Sequence, residues 1–195
     1  MAMNLLGNGL DDAGHNEDAL IVLEAELSMR RRLGDSEHKI LAVQSNLANA
    51  YEVLGREEEA ISLREDVYSG RLKLNGKEHK QTLVAALNCA ISFFDLQRFE
   101  KAKDLLRKTM PVVRRVFGDH DNVTIKMRAY YGRALYADPA GTLDDLHEAV
   151  TMHGETERTA RRVLGGAHPL TTAIEDDLRK LRAELHAREA SRGSA

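Results

Sequence analysis

The sequence predicts an all-α chain built as a stack of antiparallel helix pairs and closed by a C-terminal capping helix. Three observations carry this. When the glycine-led turns that contain Asp or Lys and His are aligned, a small residue falls at Gly7, Ala48, Ala90 and Gly132, separated by 41, 42 and 42 positions. A second small residue follows each of them at Ala19, Ala60, Ala102 and Ala149, at an offset of 12 in the first three units and 17 in the fourth. The chain of 195 residues is 43% hydrophobic but only 5% aromatic and has no Trp, so its core is expected to be thin layers of Leu, Ala, Val and Ile rather than a large enclosed cavity. A period above 40 is too long for a strand or a heptad register and suits a helical hairpin that repeats.

The small residues have a packing reason. Two antiparallel helices close to about 8–10 Å only where the crossing point carries little side-chain volume. Gly or Ala facing Ala meets that demand, and Leu10, Tyr51, Phe93 or Leu135, one turn on, fills the space alongside. A single hairpin buries too little apolar area to stand alone, so its neighbours must stack on it.

In order, residues 1–34 form a truncated first repeat. Its short helix over 4–13 is weakened by Gly7 and Gly9, and a second helix is capped by Asn16 and carries Ala19, Leu20, Leu23 and Leu27 at helical spacing. The second repeat, 35–76, holds helices near 37–54 and 57–74, the latter with acidic residues at its start and Arg71 and Lys73 at its end, the order the helix dipole favours. The third, 77–118, holds helices near 79–96 and 99–117. Gln97-Arg98 stands there in place of a turn glycine, and Pro111 predicts a bend. The fourth, 119–166, pairs helices near 122–137 and 142–164 across a longer linker, Ala137-Asp-Pro-Ala-Gly-Thr142. Residues 167–189 make the charged capping helix, and 190–195 are expected to be a disordered tail.

The pattern Leu47-Ala48-x2-Tyr51 then Ala60, and Cys89-Ala90-x2-Phe93 then Ala102, resembles the tetratricopeptide repeat. The length near 42, with Arg-Arg before the glycine turns at Gly34, Gly118 and Gly165, is similar to the kinesin light chain variety. The resemblance covers roughly residues 4–188. It implies a right-handed superhelical solenoid and a non-catalytic scaffold or adaptor that binds a protein or peptide. Arg64 and His153 depart from it, standing where an apolar residue is usual on the second helix. A HEAT-like stack has a similar period but not the small-residue pair at offset 12.

In such arrays the first helix of each pair lines the binding groove. Positions one turn from the packing face are Asn4, Asn8 and Asp11 in the first unit, and Ser45, Asn46, Asn49 and Glu52 in the second. The third offers Asn88, Ile91 and Phe94, and the fourth Lys126, Tyr130, Arg133 and Tyr136. Asparagine is a mediocre interior helix residue, yet its amide can donate to and accept from an extended peptide backbone. Resemblance to the carboxylate clamp of tetratricopeptide co-chaperones is partial: Asn49, Asn88 and Lys126 match, while Ser45 and Tyr130 replace the expected Lys and Arg. A looser expectation is an acidic or aromatic-containing linear motif received by Lys126 and Arg133 among Tyr130, Tyr136 and Phe94. The alternative is a structural array, or one that self-associates as a homodimer through its thin N-terminal end.

Other function classes find little support. His38, His79 and His168 recur at equivalent turns with His120 one position out of step, which points to capping or inter-repeat hydrogen bonds rather than converging metal ligands. Arg30-Arg31-Arg32, Arg114-Arg115 and Arg161-Arg162 sit in last helical turns, where dipole complementation explains them, and the net charge of −3 does not favour nucleic acid. The sequence has no phosphate loop, no Gly-x-Ser-x-Gly elbow and no His-Glu-x-x-His, so neither catalysis nor a cofactor is expected. Cys89, the only cysteine, lies on an apolar face, and no run reaches membrane-span length. These readings place the chain in a reducing, cytoplasmic compartment.

Overall fold

The computed structural model describes residues 15–193 and contains eight helices and no strand among them. They are α1 (Asn16–Arg32), α2 (Glu37–Val53), α3 (Glu57–Asn75), α4 (Lys80–Asp95), α5 (Phe99–Phe117), α6 (Asn122–Ala137), α7 (Leu143–Leu164) and α8 (Pro169–Gly193). The expected helix over 4–13, with Asn4, Asn8 and Asp11, lies outside the described residues. The chain divides into two compact units, up to Ser92 and from Phe93 onward.

In the first unit α2 packs along both α1 and α3. Leu20, Leu23 and Leu27 of α1 interlock with Val43, Leu47 and Ala50 of α2, and Tyr51 and Leu63 flank them. Ala19, Ala48 and Ala60, placed at crossing points by the sequence pattern, are at most 2% exposed. Leu41, Val67 and Ala85 form a second layer with Tyr68. In the second unit α6 packs on α5 and α7, and α8 covers α7 and touches α6. Ile125, Ala129, Ala160 and Ile174 meet there.

The turns repeat with the same 42-residue period as the sequence. Arg56 N–H donates to the Tyr51 carbonyl at 2.8 Å and Arg98 N–H to the Phe93 carbonyl at 2.7 Å, closing equivalent helix ends. Each closure needs one residue with positive φ, which favours glycine. Gly55 supplies it at 72° and Gln97 at 56°, the one non-glycine in that conformation among the described residues. Equivalent starts also recur. His79 Nδ1 accepts from Gln81 N–H, His168 Nδ1 from Leu170 N–H, and Asp121 Oδ1 from Val123 N–H. The histidines are therefore caps at two of the turns. At the third, Asp121 takes over that role, which leaves His120 free of it.

The linker in the fourth repeat is ordered by a buried ion pair. Lys103 of α5 reaches Asp138 at 2.6 Å, with 7% and 8% side-chain exposure, and also Glu100 at 2.6 Å. Asp138 Oδ1 accepts from Ala140 N–H at 2.9 Å. The hydrogen bond from Lys103 holds the Asp138 carboxyl below its usual range. Thr142 then opens α7 with a reciprocal capping box to Asp145, satisfying two amide donors at the helix start.

Two expectations are corrected. Asn16 is the first helical residue of α1 rather than its cap; His15 occupies the cap position and makes no side-chain capping bond. The segment expected to be a disordered tail from 190 is helical as far as Gly193. A His147–Glu189 contact at 3.1 Å and an Arg188 bond to the Gly141 carbonyl at 3.2 Å pin the last turns to the rest of the unit, and an Arg188–Glu184 pair at 2.7 Å ties one turn of α8 to the next. Pro111 lies inside α5, which is helical on both sides of it.

Candidate functional site

The candidate groove residues of the first unit are organised by a residue the repeat pattern does not anticipate. Arg64 of α3 is 7% exposed. Its guanidinium donates to Glu52 at 2.5 and 3.1 Å, to Asn49 Oδ1 at 3.2 Å, to the Asn88 carbonyl at 3.4 Å, and to the Ser92 hydroxyl. A buried guanidinium needs such partners, because desolvating an unpaired charge costs several kcal/mol. One arginine therefore brings together Asn49 and Glu52 of α2 with α4. Asn49 and Glu52 keep exposed surface, and Ser45, Asn46, Asn88 and Ile91 are half-buried. A second buried arginine works at the other end of the same helix: Arg71 donates to Gln81 Oε1 at 2.7 Å and lies 3.3 Å from His38 Nδ1, and burial lowers its pKa.

In the second unit the candidate residues lie on α6. Lys126, Tyr130 and Arg133 are spaced i, i+4, i+7 and share a face. Phe94 meets Tyr130 edge-to-face at a centroid distance of 5.7 Å and Phe99 at 5.6 Å, so these rings form one cluster. The Arg133 guanidinium lies 5.4 Å from the Tyr130 ring. Tyr136 is 37% exposed and Lys126 is also exposed. Among the described residues no carboxylate pairs with Lys126. Arg133 differs: Asp177 of α8 holds it at 2.5 Å, so its charge is already met from within the chain.

Behind that pair lies His153, the other departure from the repeat pattern. It is fully buried, neither ring nitrogen has a hydrogen-bond partner, and Asp177 Oδ2 is 4.0 Å away. Burial pushes its pKa down, opposed by Asp177. The ring sits directly over Gly132, where a Cβ would come within 2.3 Å of Nδ1. Gly132 is thus required by His153, a contact that helical spacing alone does not reveal across the longer linker.

Among the described residues no three His, Cys, Asp or Glu side chains could hold a metal ion, and no helix is long and apolar enough to cross a membrane. Cys89 is buried.

Comparison with known proteins places this geometry. Residues 39–115 match the tetratricopeptide repeat family model. No curated protein matches the chain in sequence. A Podosopora anserina protein assigned as a kinesin light chain with nearly identical TPR-like repeats superposes with a TM-score of 0.78 at 21% identity, covering 98% of this chain and 89% of that one. BtubC (BKLC) from P. vanneervenii aligns with a TM-score of 0.65 at 16% identity, over 94% of this chain and 80% of that one. A Rap protein complexed with Competence and Sporulation Factor aligns with a TM-score of 0.57 at 15% identity, over 95% of this chain and 52% of that one. Residues 39–115 match tetratricopeptide repeats, and over its described residues the chain is an all-α helical repeat array with the fold of kinesin light chain-like repeat proteins.

Proposed function

We propose that the chain is a non-catalytic adaptor that captures a linear peptide motif on the first helices of its repeats. The observation that carries this is the α6 face: Lys126, exposed and without a carboxylate partner, stands on the same helix face as a ring cluster, with Tyr136 exposed further along. A cation beside exposed aromatic surface suits a motif holding an acidic and an aromatic side chain. Arg133, tied to Asp177, serves this face by holding Tyr130 rather than by offering a second charge. In the first unit, Asn49 and Glu52 present polar groups that Arg64 orients, suited to a peptide backbone. The Rap complex supports ligand capture by this fold. The single buried cysteine supports a reducing, cytoplasmic setting.

A second reading, self-association through α1, rests on Ile21, Met29 and Leu33, exposed at 63%, 41% and 73%. Calorimetric titration of peptides selected by display separates the two. Adaptor function predicts a monomer whose peptide affinity falls about tenfold or more, roughly 1.4 kcal/mol, with Lys126→Glu plus Tyr136→Ala. A dimer at micromolar concentration that binds no peptide, or binding unchanged in that variant, overturns it.

A further inference from the structure

The arginines that close α5 and α7 converge on a surface the peptide face does not use. Dipole complementation accounts for basic residues in a last helical turn. It does not account for four guanidinium groups around one depression. Arg114 of α5, Arg128 of α6, and Arg158 and Arg162 of α7 line a cavity of about 480 Å³ together with Asp119 and Glu155.

The charges there do not balance. Asp119 engages Arg114 at 2.6 Å, and Arg114 in turn holds its carboxyl below the usual range. Glu155 engages Arg128 at 2.5 Å. Two carboxylates thus meet two of four guanidiniums. Among the described residues no carboxylate pairs with Arg158, and the neighbour of Arg162 is the Nε2 of His120, the histidine released from capping. Arg158 and Arg162 are four residues apart on α7, so they project from one face with Cβ atoms about 5–6 Å apart, and as like charges at that spacing they destabilise an isolated helix. Two planar forks at that separation can grip the oxygens of one tetrahedral dianion. Glu155 is 54% exposed while Arg128 is only 12% exposed, so the carboxylate is the mobile member of the pair, and an incoming dianion that takes its place keeps the Arg128 charge met.

We propose that this depression binds a phosphate monoester, presented by a phosphorylated serine or threonine of a partner protein. A singly charged carboxylate would leave one arginine unmet, and the cavity is larger than a phosphate group, leaving room for the residue that bears it. Asp119 and Glu155 on the rim disfavour a continuous nucleic-acid backbone, which needs an uninterrupted basic track.

The test is titration of the full chain with a short phosphoserine peptide, its unphosphorylated counterpart and a single-stranded oligonucleotide, followed by calorimetry and by backbone amide shifts. The expected result is binding of the phosphopeptide alone, shifts confined to residues 114–128 and 155–162, and at least a tenfold loss in Arg158→Gln plus Arg162→Gln. Arg31→Gln plus Arg32→Gln on α1 should leave this binding unchanged. Equal affinity in the Arg158/Arg162 variant, shifts elsewhere, tighter oligonucleotide binding, or no phosphopeptide binding at millimolar concentration would each overturn the proposal. The amide shifts are read on the wild-type chain and hold whether or not the variant folds.

Discussion

Replacing Gly132 with alanine tests whether the contact with His153 sets the separation of α6 and α7. Alanine is the better helix former by about 1 kcal/mol, so propensity alone predicts stabilisation. The new Cβ, however, would stand 2.3 Å from Nδ1 and 2.4 Å from Cε1 of His153, and reaching ordinary contact at 3.4 Å requires a movement of about 1 Å. His153 is fully buried and cannot swing into solvent. Overpacking of this kind costs about 1–3 kcal/mol, and an approach about 1 Å too close to a ring that cannot leave puts it at about 2–3 kcal/mol, so that after the propensity gain a net loss of about 1–2 kcal/mol remains. For a chain of this length that lowers Tm by roughly 2–8 °C, measured by circular dichroism. Gly154, in α7 with nothing within 4 Å of its Cβ position, is the control: Gly154→Ala should be neutral or stabilising by up to about 1 kcal/mol. In the double variant with His153→Ala, the added methyl enters the vacated space, so the two effects should be non-additive by about 1 kcal/mol or more. A Gly132→Ala chain as stable as wild type, or strict additivity with His153→Ala, refutes the reasoning.

Two further outcomes follow from the same geometry. Gln97 carries a left-handed conformation at φ 56° where the equivalent turn has Gly55, so Gln97→Gly should stabilise by about 0.5–1 kcal/mol, read as a higher urea midpoint. A lower midpoint would show that the Gln97 side chain makes contacts worth more than the strain. His153 makes stability pH-dependent: its folded pKa lies below the usual value near 6.5, so below that pH the unfolded chain takes up a proton that the folded chain refuses. Stability is then fully present above about pH 6.5 and falls as the pH drops toward the folded pKa, by at most about 1.4 kcal/mol between 6.5 and 5.5. Urea unfolding at the two pH values measures it, and the dependence should shrink in His153→Gln; an identical slope in that variant would assign it to other groups.

The helices and their order were legible because period, small residues and turn glycines all act locally. Ala48, Ala60, Ala90, Ala102 and Ala149 are all buried, as a close crossing demands, and the second-helix boundaries at Phe99 and Phe117 follow from residues adjacent to them. What the sequence obscured depends on partners far along the chain. Arg64 and His153 stood out as departures, but their meaning needed Glu52, Asn49 and Ser92 around the first and Gly132 and Asp177 around the second. Lys126 and Arg133 read alike as cations on one helix, and only Asp177, 44 residues on, separates them. The linker after Ala137 read as an insertion, whereas its anchor, Lys103, lies a whole helix earlier. The tail was misjudged for the same reason: composition past residue 189 looks unstructured, and the contacts of Arg188 and Glu189 with Gly141 and His147 carry the helix through it.

The most direct test of adaptor function is amide-shift mapping of a display-selected peptide on the isotopically labelled chain. Perturbations on α6 around Lys126, Tyr130 and Tyr136, lost with Lys126→Glu and Tyr136→Ala, are the predicted result. Perturbations confined to α1, or to helices α5 and α7 alone, would contradict it.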